Sequence, residues 1–108
     1  MTYTILTYTL PSIKSRADIL KHFELVSGGF KNVNGLIRKY FGYNESSGIG
    51  KSIYLWDTKE KAKLFYSEKF ISMFINNFGV KPDIEYVDTL LIVDNLNDSV
   101  NSYENEKA

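Results

Sequence analysis

The chain has 108 residues, with thirteen basic and thirteen acidic side chains and no cysteine. This is the length of one domain, and the balanced charge gives no electrostatic reason to expect nucleic acid or an anionic membrane as a partner. The lack of cysteine excludes disulfides, thiolate nucleophiles and zinc–thiolate centres.

Aromatic residues make up 15% of the chain, more than a small core needs, so some rings are expected to line an interface or a pocket. The first residues carry no basic segment followed by an apolar run, and no stretch reaches the ~20 apolar residues of a membrane span. A cytoplasmic location is expected.

Residues 2–10 are rich in Thr, Tyr and Ile and predict a strand, ended by Pro11, which cannot donate to a ladder. Ser15 is placed to cap a helix that carries Ile19, Phe23 and Val26 as its apolar stripe, with His22 off the centre of that stripe. Gly28 and Gly29 predict a left-handed stop. Residues 34–43 predict a second strand. In simple alternation Leu36, Arg38, Tyr40 and Gly42 share one face, and Ile37, Lys39, Phe41 and Tyr43 the other.

A polar, glycine-bearing connection over 45–50 predicts a hairpin into the strand Ile53-Tyr54-Leu55-Trp56. Asp57 or Thr58 caps the next helix, whose apolar side is Ala62, Phe65 and Tyr66. Ser67 reads as a second cap, which predicts a break and a further helix from Phe70 to Phe78, closed by Gly79. Residues 84–93 predict the last strand. The domain is placed at residues 1–95, and residues 96–108 are read as a flexible tail.

The order strand–helix–strand–strand–helix pair–strand repeats β-α-β and predicts an α+β, ferredoxin-like fold with a four-stranded antiparallel sheet. Its helices cover one face only, yet most strands are apolar or aromatic on both. A monomer would expose a large apolar face, which predicts a two-fold homodimer packed sheet to sheet. Tyr54 and Trp56 share one face of their strand, and Ile53 and Leu55 the other. One pair faces the helices and the other the partner's sheet. The sequence leaves open which.

The segments Gly35-Leu36-Ile37-Arg38-Lys39-Tyr40-Phe41, Ile53-Tyr54-Leu55-Trp56-Asp57 and Ala62-Lys63-Leu64-Phe65-Tyr66 resemble those of the dimeric α/β-barrel superfamily. So does the ending from Ile84 through Asp88 to Val93-Asp94-Asn95. Within the superfamily the chain resembles the small mono-oxygenases related to antibiotic-biosynthesis mono-oxygenases. The resemblance implies a pocket between sheet and helices in each of two joined subunits. It also implies oxidation of a phenolic, anthrone or quinol substrate by molecular oxygen, with no metal, flavin or other cofactor. Such a protein binds an electron-rich substrate, helps to deprotonate it and stabilises the anion.

On that basis Tyr54, Trp56, Phe65 and Tyr66 are expected to line the substrate site. Arg38 would steady developing negative charge, and His22 is the candidate base. Each has a plainer explanation: core packing for the rings, an ion pair with Glu85 or Asp88 for Arg38 or Lys39, and a boundary position for His22. Haem-degrading members of the superfamily use an Asn, a Trp and a helical His. This chain has Trp56, but Tyr66 on the helix and Thr7 and Tyr8 in the first strand depart from that pattern. A second function class stays open: a non-catalytic dimeric barrel that holds an apolar small molecule or a peptide.

Overall fold

The computed structural model describes residues 1–103. Four strands, β1 (Thr2–Thr9), β2 (Leu36–Asn44), β3 (Ile49–Trp56) and β4 (Asp83–Asp88), form one antiparallel sheet in the order β2-β3-β1-β4. The helices are α1 (Arg16–Ser27), α2 (Lys59–Phe65) and α3 (Glu68–Phe78). Ile19 and Phe23 of α1, Ala62 of α2 and Phe74 of α3 join Leu6, Tyr8, Tyr54 and Trp56 in a single core. All three helices therefore lie on one face of the sheet. This is the expected ferredoxin-like α+β architecture.

Local signals account for the element ends. The Ser15 side chain accepts from the Asp18 backbone N–H at 3.1 Å, capping α1. Thr58, not Asp57, caps α2, and Asp57 instead pairs with Lys61 one turn on, at 2.8 Å. Ser67 caps α3 through the Phe70 N–H at 3.2 Å, so the break at Tyr66 falls where the second cap predicted it. Gly79 closes α3 with φ 73°, a left-handed turn that needs no Cβ.

The end of α1 departs from expectation. Gly28 stays right-handed, with φ −60°, and the chain tightens into a 3₁₀ turn over Gly28–Phe30. That extra turn carries the Phe30 ring back over the sheet.

Two strands also depart from the expected pattern. The register of β2 against β3 shifts between Leu36 and Arg38, a bulge that takes Ile37 out of the alternation. Leu36 is thereby brought onto the face of Lys39, Phe41 and Tyr43, opposite Trp56, while Arg38 and Tyr40 occupy the other face.

The last strand does not run from 84 to 93. It stops at Asp88, and the chain turns through Thr89 and Leu90 into β5 (Leu91–Asp94). β5 pairs with β6 (Ser99–Ser102), in a segment read from sequence as tail. Asp94 closes the connecting turn by accepting from the backbone N–H groups of Leu96 and Asn97 at 3.0 and 3.2 Å. The rest of the expected tail, 104–108, lies outside the described residues. No helix among the described residues is long and apolar enough to cross a membrane.

Candidate functional site

The helix-facing side of the sheet presents Thr2, Thr4, Leu6 and Tyr8 from β1, and Ser52, Tyr54 and Trp56 from β3, all buried. This settles the orientation that alternation left open: Tyr54 and Trp56 face the helices, and Ile53 and Leu55 face away.

Between this surface and the helices lies a cavity of about 510 Å³. Its floor is Tyr8, Phe41, Ser52 and Tyr54. Phe23, Val26 and Phe30 close one side, and Phe65, Phe70, Met73 and Phe74 the other. A pocket of this size, concave and mainly apolar with few polar groups, is of the type that holds a small molecule.

Of the four expected lining residues, Tyr54 and Phe65 border the cavity. Trp56 and Tyr66 stand behind them. Trp56 is fully buried and lies parallel to Tyr54, with 6.0 Å between ring centres and 6° between planes. The indole N–H donates to the Thr4 hydroxyl at 3.1 Å, and that hydroxyl lies 2.5 Å from the Tyr66 hydroxyl. Burial pushes the Tyr66 phenol upward, and the Thr4 and Trp56 contacts only partly oppose this. Tyr66 therefore keeps its proton. Trp56, Thr4 and Tyr66 form a satisfied polar knot that fixes the back of the wall.

The two residues expected to do chemistry do not border the cavity. Arg38 lies on the opposite face of the sheet, exposed, where its guanidinium donates to the Tyr40 hydroxyl at 3.3 Å. His22 lines a separate cleft with Leu10, Pro11 and Ser12, edge-on to Phe78 at 4.9 Å between ring centres.

The cation inside the cavity is Lys39. Its Nζ sits 3.4 Å from the centre of the Phe30 ring, 3.8 Å from Phe41 and 4.5 Å from Tyr54. Loss of solvation pushes its pKa from the ordinary lysine value down to about 7. Tyr8 is pushed up to about 12, mainly by burial, and Tyr54 is raised for the same main reason. The sequence held a usable signal for Lys39, since it alternates with Phe41 and Tyr43. Arg38, the neighbour expected to steady the charge, lies on the opposite face.

No family model matches the chain, and no curated protein does. Solved structures do. A Caulobacter crescentus protein described as an antibiotic biosynthesis monooxygenase superposes with a TM-score of 0.62 at 18% identity, over 82% of this chain and 89% of the other. A Deinococcus radiodurans protein of the same description gives 0.60 at 11%, over 82% and 92%. The monooxygenase of the ActVA-Orf6 gene of Streptomyces coelicolor, solved with the ligand nanaomycin D, gives 0.60 at 12%, over 82% and 86%. At these identities the agreement lies in the fold: this chain has the α+β, ferredoxin-like architecture of the antibiotic biosynthesis monooxygenases.

Proposed function

We propose that the chain is a cofactor-independent, mono-oxygenase-like protein that takes a small phenolic or quinol substrate into the cavity between sheet and helices. The observation that carries this reading is the cavity itself: about 510 Å³, walled by aromatic rings, with a single cation held among them. Flat rings stack on such walls, and electron-rich rings gain from a nearby ammonium. The shared fold supports it, because the Streptomyces coelicolor protein of that fold is a monooxygenase solved with nanaomycin D. In this reading Tyr54 and Phe65 touch the substrate, while Trp56 and Tyr66 hold Tyr54 in place from behind. Arg38 and His22 lie outside the cavity.

Two subunits meet sheet to sheet in the same reading. The open face of the sheet carries Ile53 at 39% exposure and Tyr40 at 52%, alongside Ile5, Leu55 and Val87. This apolar centre, flanked on the same face by the exposed charges Arg38, Lys51 and Glu85, suits burial against a second copy.

Oxygen uptake with a panel of quinols and anthrones tests the reading. Uptake by the wild type that falls at least tenfold in Phe65→Ala supports it. A second reading, a non-catalytic barrel that holds an apolar ligand, is favoured by the scarcity of polar groups on the wall. Tight ligand binding without uptake for any compound in the panel would establish that reading instead.

A further inference from the structure

The cavity contains one side chain that packing does not explain. A lysine at the edge of an apolar region usually lays its stem along that region and puts its head in water. Lys39 instead places its Nζ among the faces of Phe30, Phe41 and Tyr54. No carboxylate pairs with it among the described residues, where Lys59 pairs with Asp88 and Lys61 with Asp57. Ring faces attract an ammonium, but they are no counter-ion and poor hydrogen-bond acceptors. An ammonium withdrawn from water without a counter-ion carries a large penalty, and the simplest relief is to lose its proton. Desolvation brings the group down to about 7, so near neutrality it exchanges between amine and ammonium.

The other ionisable groups of the walls cannot take that part. Tyr8 and Tyr54 both hold their protons more tightly than ordinary phenols do. They can donate hydrogen bonds to a ligand oxygen but cannot accept a proton from it. Ser52 offers only a hydroxyl. Lys69 stands at the exposed rim.

We propose that Lys39 is the proton acceptor for the ligand of this cavity, and that the ligand is a planar aromatic bearing a weakly acidic hydroxyl, a phenol or an enol. The proposal rests on the reading of the cavity as an aromatic-substrate site. In the step, the Nζ lone pair takes the hydroxyl proton. The O–H bond breaks, an N–H bond forms, and the electron pair stays on oxygen. Ammonium and phenolate remain as a contact ion pair, and no further reactant is consumed. The product supplies the counter-ion that Lys39 lacks. Burial alone disfavours a phenolate, as it does for Tyr8 and Tyr54; contact with the new ammonium, and the hydrogen bonds that the Tyr8 and Tyr54 hydroxyls can donate to the oxygen, oppose that cost. Tyr54, still protonated, stacks with Trp56 and gives the ring a flat surface to rest on.

Naphthol tests this, because its anion absorbs to the red of the neutral form and free naphthol is un-ionised at neutral pH. Wild-type protein is expected to develop the anion band in a saturable titration. Lys39→Met is expected to lose that band and to weaken naphthol binding about tenfold or more relative to naphthalene. Binding of naphthalene, which has no hydroxyl, shows that the variant cavity is intact. Naphthol that fails to bind, that binds the wild type without ionising, or that keeps its anion band in Lys39→Met overturns the proposal. Oxygen uptake measured on the same samples separates the two claims. An anion band without uptake for any substrate retains Lys39 and removes the oxygenase reading. Undiminished uptake by Lys39→Met removes Lys39 and retains the oxygenase reading.

Discussion

Arg38 and Lys39 are neighbours in sequence and occupy opposite environments. Arg38 stands exposed beside Tyr40, and Lys39 lies among three rings. Alternation placed them on opposite faces, and only the packing of the helices decides which face is the inner one. The lysine's position has a thermodynamic signature. Its folded-state pKa, about 7, lies below its unfolded value. Between those two values the unfolded chain binds the extra proton, so stability rises with pH through the window. The wild type should therefore gain about 2–4 kcal/mol relative to Lys39→Met between pH 7 and 10, the ring faces offsetting part of the desolvation cost. Urea unfolding of both proteins at several pH values measures the difference. Above pH 10 both should lose stability, because Tyr8, Tyr54 and Tyr66 hold protons in the folded state that the unfolded chain releases. A pH-independent difference would show that Lys39 does not titrate in this window.

Among the elements, β3 is the one whose fit is tightest. Gly50 pairs with Tyr8 across the β1–β3 ladder, and a Cβ at Gly50 would fall on the Tyr8 ring. That ring is confined toward α3, and its free side is the cavity. It is held edge-on by Phe74, with centres 4.9 Å apart, and packed against Phe78 at 5.0 Å. Gly50→Ala should therefore cost about 1–3 kcal/mol, read as a lower urea midpoint with an unchanged slope. It should also push Tyr8 into the cavity and weaken any ligand there.

Much of this scale was legible from the sequence. Serines at 15 and 67 cap α1 and α3 as expected, because a cap is a local interaction between residues three apart. The bulge at Ile37 was not legible, since it answers to the partner strand rather than to β2 itself. The β5–β6 hairpin left a trace: Asp94-Asn95 and Asn97-Asp98 are turn residues between two short strands. Low hydrophobicity beyond residue 96 outweighed it.

At the scale of the whole molecule, the sheet is covered on one side by three helices, while its other side carries Ile53, Leu55, Tyr40 and Val87. The β5–β6 hairpin adds exposed Leu91, Val93 and Val100, and a two-stranded hairpin alone is marginal in water. Both features are expected to be covered by a second copy. Light scattering at micromolar concentration should give twice the 12.4 kDa of one chain, and Ile53→Glu should shift the mass toward the single chain. A wild-type mass of one chain would remove the dimer. The apolar excess was readable from the sequence as two-sided strands, but the reach of the hairpin was not, because it depends on where β4 stops.

The parallel stack of Trp56 on Tyr54 also has an optical consequence. The chain has one tryptophan, and it is sealed from water directly behind a wall of the cavity, in contact with both Tyr54 and Phe65. Its emission therefore reports on a single place, with no second indole to dilute the signal. A ligand that shifts Tyr54 or Phe65, or whose own ring accepts the excitation, changes that emission without any attached dye. The protein thus carries a built-in reporter of cavity occupancy, and an unidentified ligand can be sought by the light it quenches before anything is known of its chemistry.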